Sequence, residues 1–541
     1  MTAQARLFLD PDQHYRKVIE LGIALSAERD KARLIETILM GAKEMTRADG
    51  GTLYLRTDDE QGLRFAIMRN DSLNIAMGGT TGAEIPYPPL SLFDAEGRPN
   101  HHNVATHTAL NGKTVNIADA YSAEDFDFSG TKAFDERTGY RSQSFLTVPL
   151  RNHKNEVIGV LQLINARDEF DRVIPFDPAF VPLIEALSSQ AAVALDNQYL
   201  IQGQRDLLDS FIQVIAHAID AKSPYTSGHC QRVPQLTEML ARAAVEAKDG
   251  LCADFDLDAE GWYELHIAGW LHDCGKLITP NHVMDKSTKL ETVHDRIHEV
   301  ATRFEVLKAR AEAEYWKALA QGGDAEALKA GLETHLAELE ADCTFLRTIN
   351  IGGEFMAPDK LERLNRIAAL RWTSPDGEEA PLLTEDEVKN LSVARGTLTD
   401  EERKIINDHI VVTIDMLSQL PFPKGMKRVV EYAGGHHEKM DGTGYPKGLT
   451  REQLSIPARI MAIADIFEAL TAADRPYKKA KTLSESIRIM SFMCKDQHID
   501  PDLFALFLTS GVYKEYAEKF LAPEQIDEVD IGQYLPSPAT H

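Results

Sequence analysis

Up to about residue 200, the hydrophobic positions alternate between helical and strand spacing. In residues 32–45, apolar side chains recur every three or four positions, which predicts an amphipathic helix. Its buried face is expected to consist of Leu34, Ile35, Ile38, Leu39 and Ala42. Short β-rich runs bounded by turn-forming residues follow at 51–56, 63–69, 115–117, 144–150 and 157–165. Because helical spacing returns at 180–200, we expect a sheet flanked by helices at both ends.

A second helical pattern connects this region to the rest of the chain. Apolar residues recur every seven positions in two series, Val193, Leu200, Leu207 and Val214, and Ile201, Leu208 and Ile215. Such a repeat is typical of helices that pack side by side, so residues 193–222 are predicted to form a connecting signalling helix in a parallel homodimer. Gly203 and Ser210 interrupt the pattern, which leaves open a single helix packed on its own domain.

Residues 291–397 have a different character, since they are rich in Ala, Glu, Lys and Leu. The pattern predicts two long charged helices separated by Gly322 and Gly323, arranged as a helical hairpin. The second half of this segment, which contains Pro358, Trp372 and Pro375, is less regular. It carries no catalytic signature, and a solvated interaction or lid element is the favoured interpretation.

Composition narrows the classes of function. A chain of 541 residues is expected to form two or more domains. The formal net charge of −26 argues against binding to nucleic acid polymers, which requires a basic surface. No segment reaches the ~18 uncharged apolar residues that cross a bilayer, and residues 1–10 do not resemble a signal peptide. With five scattered cysteines and no CxxC spacing, we expect a cytoplasmic protein that does not bind membranes.

The chemistry is concentrated in histidines and aspartates that lie in or beside apolar helical patterns. Buried ionisable groups are costly unless they are paired or bound to a metal ion. Imidazole and carboxylate ligands suit Fe, Mn, Zn or Ni, and a bridging carboxylate would hold two metal ions ~3.5–4 Å apart. Lys276 follows Asp273 by three residues and His272 by four, so it is predicted to share their helix face and to offer a positive charge to a phosphate. The candidate residues are His229, His272, Asp273, His409, His436, His437 and Asp465.

Residues 30–200 resemble a GAF domain. The resemblance lies in Gly-Gly-Thr-Leu-Tyr-Leu at 50–55, Ser-Phe-Leu-Thr-Val-Pro-Leu at 144–150 and Val-Ile-Gly-Val-Leu-Gln-Leu-Ile-Asn at 157–165. It implies an α+β fold, an antiparallel sheet with flanking helices, that senses a small-molecule ligand and dimerises. In members that bind cyclic nucleotides the last strand's Asn is followed by Lys. Here Ala166 follows Asn165, which argues against that ligand.

Residues 205–290 and 398–510 resemble the HD-GYP subgroup of HD-domain phosphohydrolases. The motifs are Thr-Ser-Gly-His-Cys-Gln-Arg-Val at 226–233, Leu-His-Asp-Cys-Gly-Lys at 271–276, His-His-Glu-Lys-Met-Asp-Gly-Thr-Gly-Tyr-Pro at 436–446 and Ala-Asp-Ile-Phe-Glu-Ala-Leu-Thr at 464–471. The resemblance implies an all-α domain at 205–515 with a helical insertion at about 291–397. A helical segment at 1–29 and a tail at 516–541 complete the expected multidomain organisation.

The same resemblance implies two divalent metal ions, with Fe or Mn expected and Zn, Ni, Mg or Ca as alternatives. His229, His272, Asp273 and Asp465 would surround one ion, and Asp273 would bridge to a second ion held by His409, His436 and His437. Asp273 and Lys276 are the expected catalytic residues, with Lys276 on the substrate phosphate. Arg475 and Lys478 are candidates for further phosphate contacts. Gly442, Gly444, Tyr445 and Pro446 would shape the adjacent loop.

The reaction implied is hydrolysis of cyclic di-GMP to linear pGpG, regulated by the GAF domain, and whether cleavage continues to GMP stays open. One alternative is 3′,3′-cyclic GMP-AMP as the substrate, since the sequence does not show which residues would distinguish guanine from adenine. Another is a cyclic-dinucleotide-binding signalling protein with weak turnover. Cys274 replaces the aliphatic residue usual in the family. Packing is favoured for it over a redox effect on Asp273.

Overall fold

The chain divides into two compact units, Met1–Leu207 and Leu208–His541. The computed structural model describes residues 11–222, 228–353, 355–423, 425–472 and 480–535.

The N-terminal unit is an antiparallel sheet with helices, as predicted. Its helices are α1 (Pro11–Ala27), α2 (Lys31–Thr46), α3 (Val104–Asn111), α4 (Ser129–Thr138) and the first part of α5 (Val181–Lys222), whose last part, from Leu208, belongs to the C-terminal unit. Its strands are β1 (Ala48–Arg56), β2 (Gly62–Asn70), β3 (Ile75–Gly78), β4 (Leu90–Ser91), β5 (Val115–Ile117), β6 (Phe145–Arg151), β7 (Val157–Arg167) and β8 (Val173–Ile174). Hydrogen bonding gives the order β3-β2-β1-β7-β6-β5, with β4 beside β2 and β8 beside β7.

The core of this unit forms where the sequence predicted it. The five apolar side chains expected on one face of α2 are all buried. The helix begins at an Asp30 cap, whose carboxylate accepts a hydrogen bond from the backbone N–H of Arg33 at 2.7 Å. All five predicted strands are present. The pattern did not predict α3, α4, β3, β4 or β8, because such short elements carry too few residues to show a period.

Helix α5 bears on the expectation that no segment crosses a membrane. By length and composition alone, one helix of the described chain, Pro178–Lys222, is apolar enough to cross a membrane. Only 39% of its most apolar window is buried in the structure, but Ile184, Leu187 and Leu195 lie in the core of the N-terminal unit. Core helices of globular units pass the same test, so this is weak evidence for a membrane span.

The two apolar series on α5 have different surroundings. In the series Ile201, Leu208 and Ile215, the last two pack against the core of the C-terminal unit, whereas Ile201 is 49% exposed. The other series stays exposed along its whole length, at 45% for Val193, 55% for Leu200, 57% for Leu207 and 66% for Val214. Packing within the chain therefore covers part of one series and leaves all four residues of the other exposed.

The C-terminal unit is mainly helical. Its helices are α6 (His229–Glu246), α7 (Ala259–Leu271), α8 (Asn281–Met284), α9 (Ile297–Ala320), α10 (Ala325–Asn350), α11 (Pro358–Ala368), α12 (Glu385–Leu391), α13 (Asp400–Asn407), α14 (His409–Ser418), α15 (Val429–Gly434), α16 (Ile456–Thr471), α17 (Leu483–Lys495), α18 (Pro501–Thr509) and α19 (Val512–Phe520). The main core includes Tyr516 and Ala517 of α19. The domain thus continues past residue 515, where a tail was expected, because α19 buries one apolar face.

The insertion contains the predicted helical hairpin, formed by α9 and α10, and has its own hydrophobic cluster around Phe304, Leu346 and Leu382. It is not wholly helical, since β9 (Arg371–Thr373) and β10 (Glu379–Pro381) form an antiparallel pair. A turn with Gly377 at φ 85° joins them. The sequence pattern did not predict these two strands.

Two buried lysines hold the ends of the insertion together. Lys286 Nζ donates to Asn390 Oδ1 at 2.7 Å and to the Glu402 carboxylate at 2.8 Å. Lys289 Nζ donates to the backbone carbonyls of Leu391 and Val393, at 3.0 and 2.8 Å. Glu402 belongs to α13, which leads directly to His409, so the root of the insertion contacts the helix that precedes a candidate site residue.

Candidate metal centre

The first group of candidate residues joins three segments of the C-terminal unit. His229 begins α6, His272 and Asp273 follow α7, and Asp465 lies on α16. Within the described chain, their donor atoms all lie within 4.8 Å of one another. His229 Nε2 is 3.1 Å from Asp273 Oδ2 and 3.3 Å from Asp465 Oδ1. Two helix ends and the middle of α16, from distant parts of the sequence, therefore place two imidazoles and two carboxylates around one point.

The second group consists of His409, His436 and His437, whose donor atoms also lie within 4.8 Å of one another. His437 Nε2 is 3.2 Å from His409 Nε2. His409 Nε2 in turn lies 3.1 Å from Asp273 Oδ1. Since the other oxygen of Asp273 faces His229, this one carboxylate lies between the two groups. All seven residues predicted as metal ligands are thus brought together.

Three of the histidines are oriented by the helix ends that carry them. His272 Nδ1 lies 2.7 Å from the carbonyl oxygen of Gly269, His409 Nδ1 2.5 Å from that of Ile406 and His436 Nδ1 2.7 Å from that of Ala433. A carbonyl can only accept, so each Nδ1 must carry the proton. The Nε2 of each ring then faces the centre, which is the arrangement usual for metal-binding histidines.

Sequence reasoning missed the partner that orients His229. Its Nδ1 lies 2.5 Å from Glu468 Oε2, and Arg232 Nε donates to the other oxygen of Glu468 at 2.7 Å. Burial raises the pKa of Glu468, but His229 and Arg232 together hold it below its usual range. The signal was present, because Glu468 follows Asp465 by three residues and Arg232 follows His229 by three, which places each pair on one helix face.

Lys276 contacts Asp273, although not through a continuous α-helix as predicted. Helix α7 ends at Leu271, and residues Cys274–Ile278 form a 3₁₀ helix. This tight turn brings Lys276 Nζ to the Asp273 carboxylate. The turn needs glycine at position 275, because a Cβ there would overlap the backbone carbonyl of His409. Its N–H donates to Thr413 Oγ1 at 2.9 Å, so the turn packs closely on α14.

Charge differs strongly among the buried groups. Burial raises the pKa of Asp273, but Lys276 and His272 outweigh it and hold that pKa well below its usual range. Burial lowers the pKa of His436 to about 4, and His272 contributes in the same direction. Burial and the neighbouring His436 also lower the pKa of His437. Burial lowers the pKa of His229 too, but the Glu468, Asp273 and Asp465 carboxylates outweigh burial and hold that pKa well above its usual range. His436 and His437 are thus already in the neutral form that metal binding requires, whereas a metal ion at His229 would have to displace a proton.

Two buried polar atoms at the centre indicate that a metal ion binds there. His436 Nε2 lacks any hydrogen-bond partner among the described residues, and so does Asp273 Oδ1 despite its 3.1 Å approach to His409. Leaving a buried polar atom unpaired costs about 1–3 kcal/mol. A cation between the two groups would satisfy both atoms, and the mixture of imidazole and carboxylate donors suits a transition metal. The residues therefore fit a metal site.

The loop after His437 packs against the second group. The ring of Tyr445 stacks on that of His437, with centroids 4.9 Å apart and an interplanar angle of 21°. A Cβ at Gly444 would overlap the backbone of Glu438 and Lys439, so the loop needs glycine there. Gly442 has φ 78°, a conformation that favours glycine. Arg475 and Lys478, predicted as phosphate contacts, lie outside the described residues.

Comparison with known protein families agrees with both resemblances. A family model described as GAF domain matches residues 30–195, and one described as HD domain matches residues 384–503. The chain contains a GAF domain and an HD domain. The HD match includes His409, His436, His437 and Asp465. It begins after His229, His272 and Asp273.

Several curated relatives are phosphodiesterases by name. The chain is 26% identical over 346 residues to the 3′3′-cGAMP-specific phosphodiesterase 3 of Vibrio cholerae, covering 63% of this chain and 44% of the relative. It is 40% identical over 119 residues to a cyclic di-GMP phosphodiesterase of Pseudomonas aeruginosa, covering 22% and 28%. It is 39% identical over 116 residues to the 3′3′-cGAMP-specific phosphodiesterase 1 of Vibrio cholerae, covering 21% and 26%. The chain spans less than half the length of each.

Proposed function

We propose that the C-terminal unit hydrolyses the phosphodiester bond of a cyclic dinucleotide, with cyclic di-GMP converted to linear pGpG. The observation that carries the proposal is the position of Asp273, whose two oxygens face two separate groups of donors. A carboxylate in that position is typical of centres that act on phosphate esters with two metal ions. The printed activities of the relatives support the same reaction class.

In this proposal, one divalent ion is held by His229, His272, Asp273 and Asp465. A second is held by His409, His436 and His437 together with Asp273. Fe or Mn suits the donor set. The bound ions would supply Lewis acidity toward the phosphoryl group and a water molecule.

The chain's own residues orient the site and supply charge. Asp273, ionised and held beside Lys276, offers one carboxylate oxygen to each of the two donor groups. The Lys276 side chain is 23% exposed, so its ammonium can reach both Asp273 and a substrate phosphate. A local positive charge matters in a chain with a formal net charge of −26, because the substrate is itself an anion.

The test is anaerobic turnover of cyclic di-GMP with added Fe(II) or Mn(II), with products resolved by chromatography. Wild type is expected to release linear product. Asp273→Asn keeps the shape but removes the charge, so it should lose product formation and bound metal together. Asp415→Asn, at an exposed position of α14, is the matched control and should behave as wild type. A fully active, metal-replete Asp273→Asn variant would contradict the site.

A second substrate has its own support. The relative that covers 63% of this chain is named as specific for 3′3′-cGAMP. Presenting cyclic di-GMP and 3′3′-cGAMP together to the wild type gives the ratio of their kcat/KM values. A ratio above about tenfold in either direction assigns the preferred substrate, since tenfold corresponds to ~1.4 kcal/mol of transition-state binding.

We also propose that the chain forms a parallel homodimer through α5 and that the GAF domain regulates turnover in response to a small molecule. The exposed stripe Val193, Leu200, Leu207 and Val214 supports the dimer, because it has the heptad spacing of a coiled-coil seam. Light scattering of the full chain should give twice the monomer mass. Leu207→Glu should reduce it, whereas Gln204→Glu, at an exposed position on the same helix, should not.

A further inference from the structure

The last residue of α5, Lys222, binds the turn that follows Asp273. Its Nζ donates to the backbone carbonyls of Lys276 at 2.9 Å and of Thr279 at 2.6 Å, and also to that of Leu277. An ammonium has three donors, so these three acceptors use all of them. All these residues belong to the C-terminal unit.

Lys276 and Leu277 belong to the 3₁₀ helix Cys274–Ile278 and Thr279 follows it, so the three carbonyls lie at the end of the turn. The Lys276 carbonyl also accepts a hydrogen bond from the backbone N–H of Thr279 at 3.2 Å. Burial lowers the pKa of Lys222, and the carboxylate of Asp285 opposes that effect. The charged ammonium therefore caps the turn and fixes the direction in which its carbonyls point.

The turn also connects Lys276 to Asp273. The backbone N–H of Lys276 donates to the carbonyl of Asp273 at 2.9 Å, and the Lys276 side chain reaches the Asp273 carboxylate. A residue that fixes the carbonyls of Lys276 and Thr279 therefore also limits where the Lys276 ammonium can lie. Among the described residues, no member of the two donor groups is a hydrogen-bond partner of the Lys222 ammonium.

We propose that Lys222 is a positioning residue, which holds the turn so that Lys276 faces the substrate phosphate and thereby couples the end of α5 to turnover. The part concerning turnover rests on the proposed function. The helix begins at Val181 and its last turns pack in the C-terminal core through Ile212, Ala216 and Ile219. A shift of that end of α5 would act on Lys276 without moving a candidate metal ligand directly.

The first test needs no turnover. Amide hydrogen exchange of the full chain is compared among wild type, Lys222→Met and the charge-matched control Lys514→Met, which is exposed on α19. In Lys222→Met, the backbone amide hydrogens of residues 273–279 should exchange at least about tenfold faster than in wild type, because the turn loses the ammonium that holds its carbonyls. Lys514→Met should match wild type. Unchanged exchange in Lys222→Met overturns the proposal whatever the enzyme's substrate.

The second test is a double-mutant cycle with Lys276→Met. Lys222→Met alone should lower kcat/KM about tenfold while bound metal stays at the wild-type level. In the Lys276→Met background the same change should cost less than about twofold, because the two lysines act through one contact. Full additivity, or loss of metal from Lys222→Met, overturns the positioning role.

Lys222→Arg keeps the charge and several donors, so it covers the case in which Lys222→Met does not fold. It should be more active than Lys222→Met, and the amide hydrogens of residues 273–279 should exchange more slowly than they do in Lys222→Met. An arginine variant as impaired as the methionine variant counts against the proposal. A wild type that hydrolyses no cyclic dinucleotide would instead contradict the proposed function, and the exchange comparison would still decide the contact.

Discussion

The two donor groups that meet at Asp273 are built differently. The first combines two histidines with two carboxylates, and a buried side-chain pair, Glu468 with Arg232, orients His229 from behind. The second consists of three histidines, two of which are oriented by backbone carbonyls. Charge is therefore concentrated in the first group. The second depends on the exact path of its helix ends, including the end that follows the insertion.

The largest expected effect separates the groups by metal content. His272→Ala and His436→Ala should each lower turnover roughly a thousandfold, because each removes a donor to a different ion. Each variant should also lose about one metal ion per chain when metal is measured by mass spectrometry. His335→Ala, on the exposed surface of α10, is the control. If either variant loses all its metal, the two groups act as one site and the comparison breaks.

The next effect is specific to the first group. Glu468→Gln removes the charge behind His229, and partners of that kind are worth about 10- to 100-fold in metal affinity or activity. Turnover should fall by that factor and be partly restored by excess metal. The control is Glu518→Gln on the exposed face of α19. The affinity of the second group for metal should be unchanged. If Glu468→Gln weakens metal binding by both groups equally, Glu468 does not act on the first group alone.

The root of the insertion gives the matching experiment for the second group. Lys286→Met removes the cation that pairs with the Glu402 carboxylate of α13, which, within the described part of the chain, keeps only the hydrogen bond from the Thr399 N–H at 2.9 Å. Breaking a largely buried ion pair costs about 3 kcal/mol of unfolding free energy. Because α13 leads to His409, metal affinity of the second group should weaken more than that of the first. Metal titration combined with urea unfolding measures both. Equal weakening of the two groups would mean a general loss of stability.

The donors were predictable from sequence, whereas their supports largely were not. His229, His272, His409, His436 and Asp465 could be found because imidazoles and carboxylates inside apolar helical patterns need a metal or a charged partner. That argument concerns single residues. It does not say which carboxylate lies between the groups, because that depends on how distant helix ends meet.

The fold shows the same division. The face of α2 and the long strands follow from periodicity, since each contains enough residues to define a buried side. The 3₁₀ turn at Gly275 depends on close approach to the backbone of His409, which no local pattern contains. Similarly, Glu468 looks like a surface residue until its two partners are brought beside it.

The smallest expected effect concerns the ring that packs on the second group. Tyr445 stacks on His437, so Tyr445→Leu should weaken metal retention by that group about threefold, through loss of aromatic contact worth about 0.5–1 kcal/mol. Tyr445→Phe keeps the ring and should retain metal as wild type does. If the phenylalanine variant loses metal, the hydroxyl rather than the ring supports His437. If it retains metal but raises KM alone, the hydroxyl contacts substrate and the ring still belongs to the support of the second group.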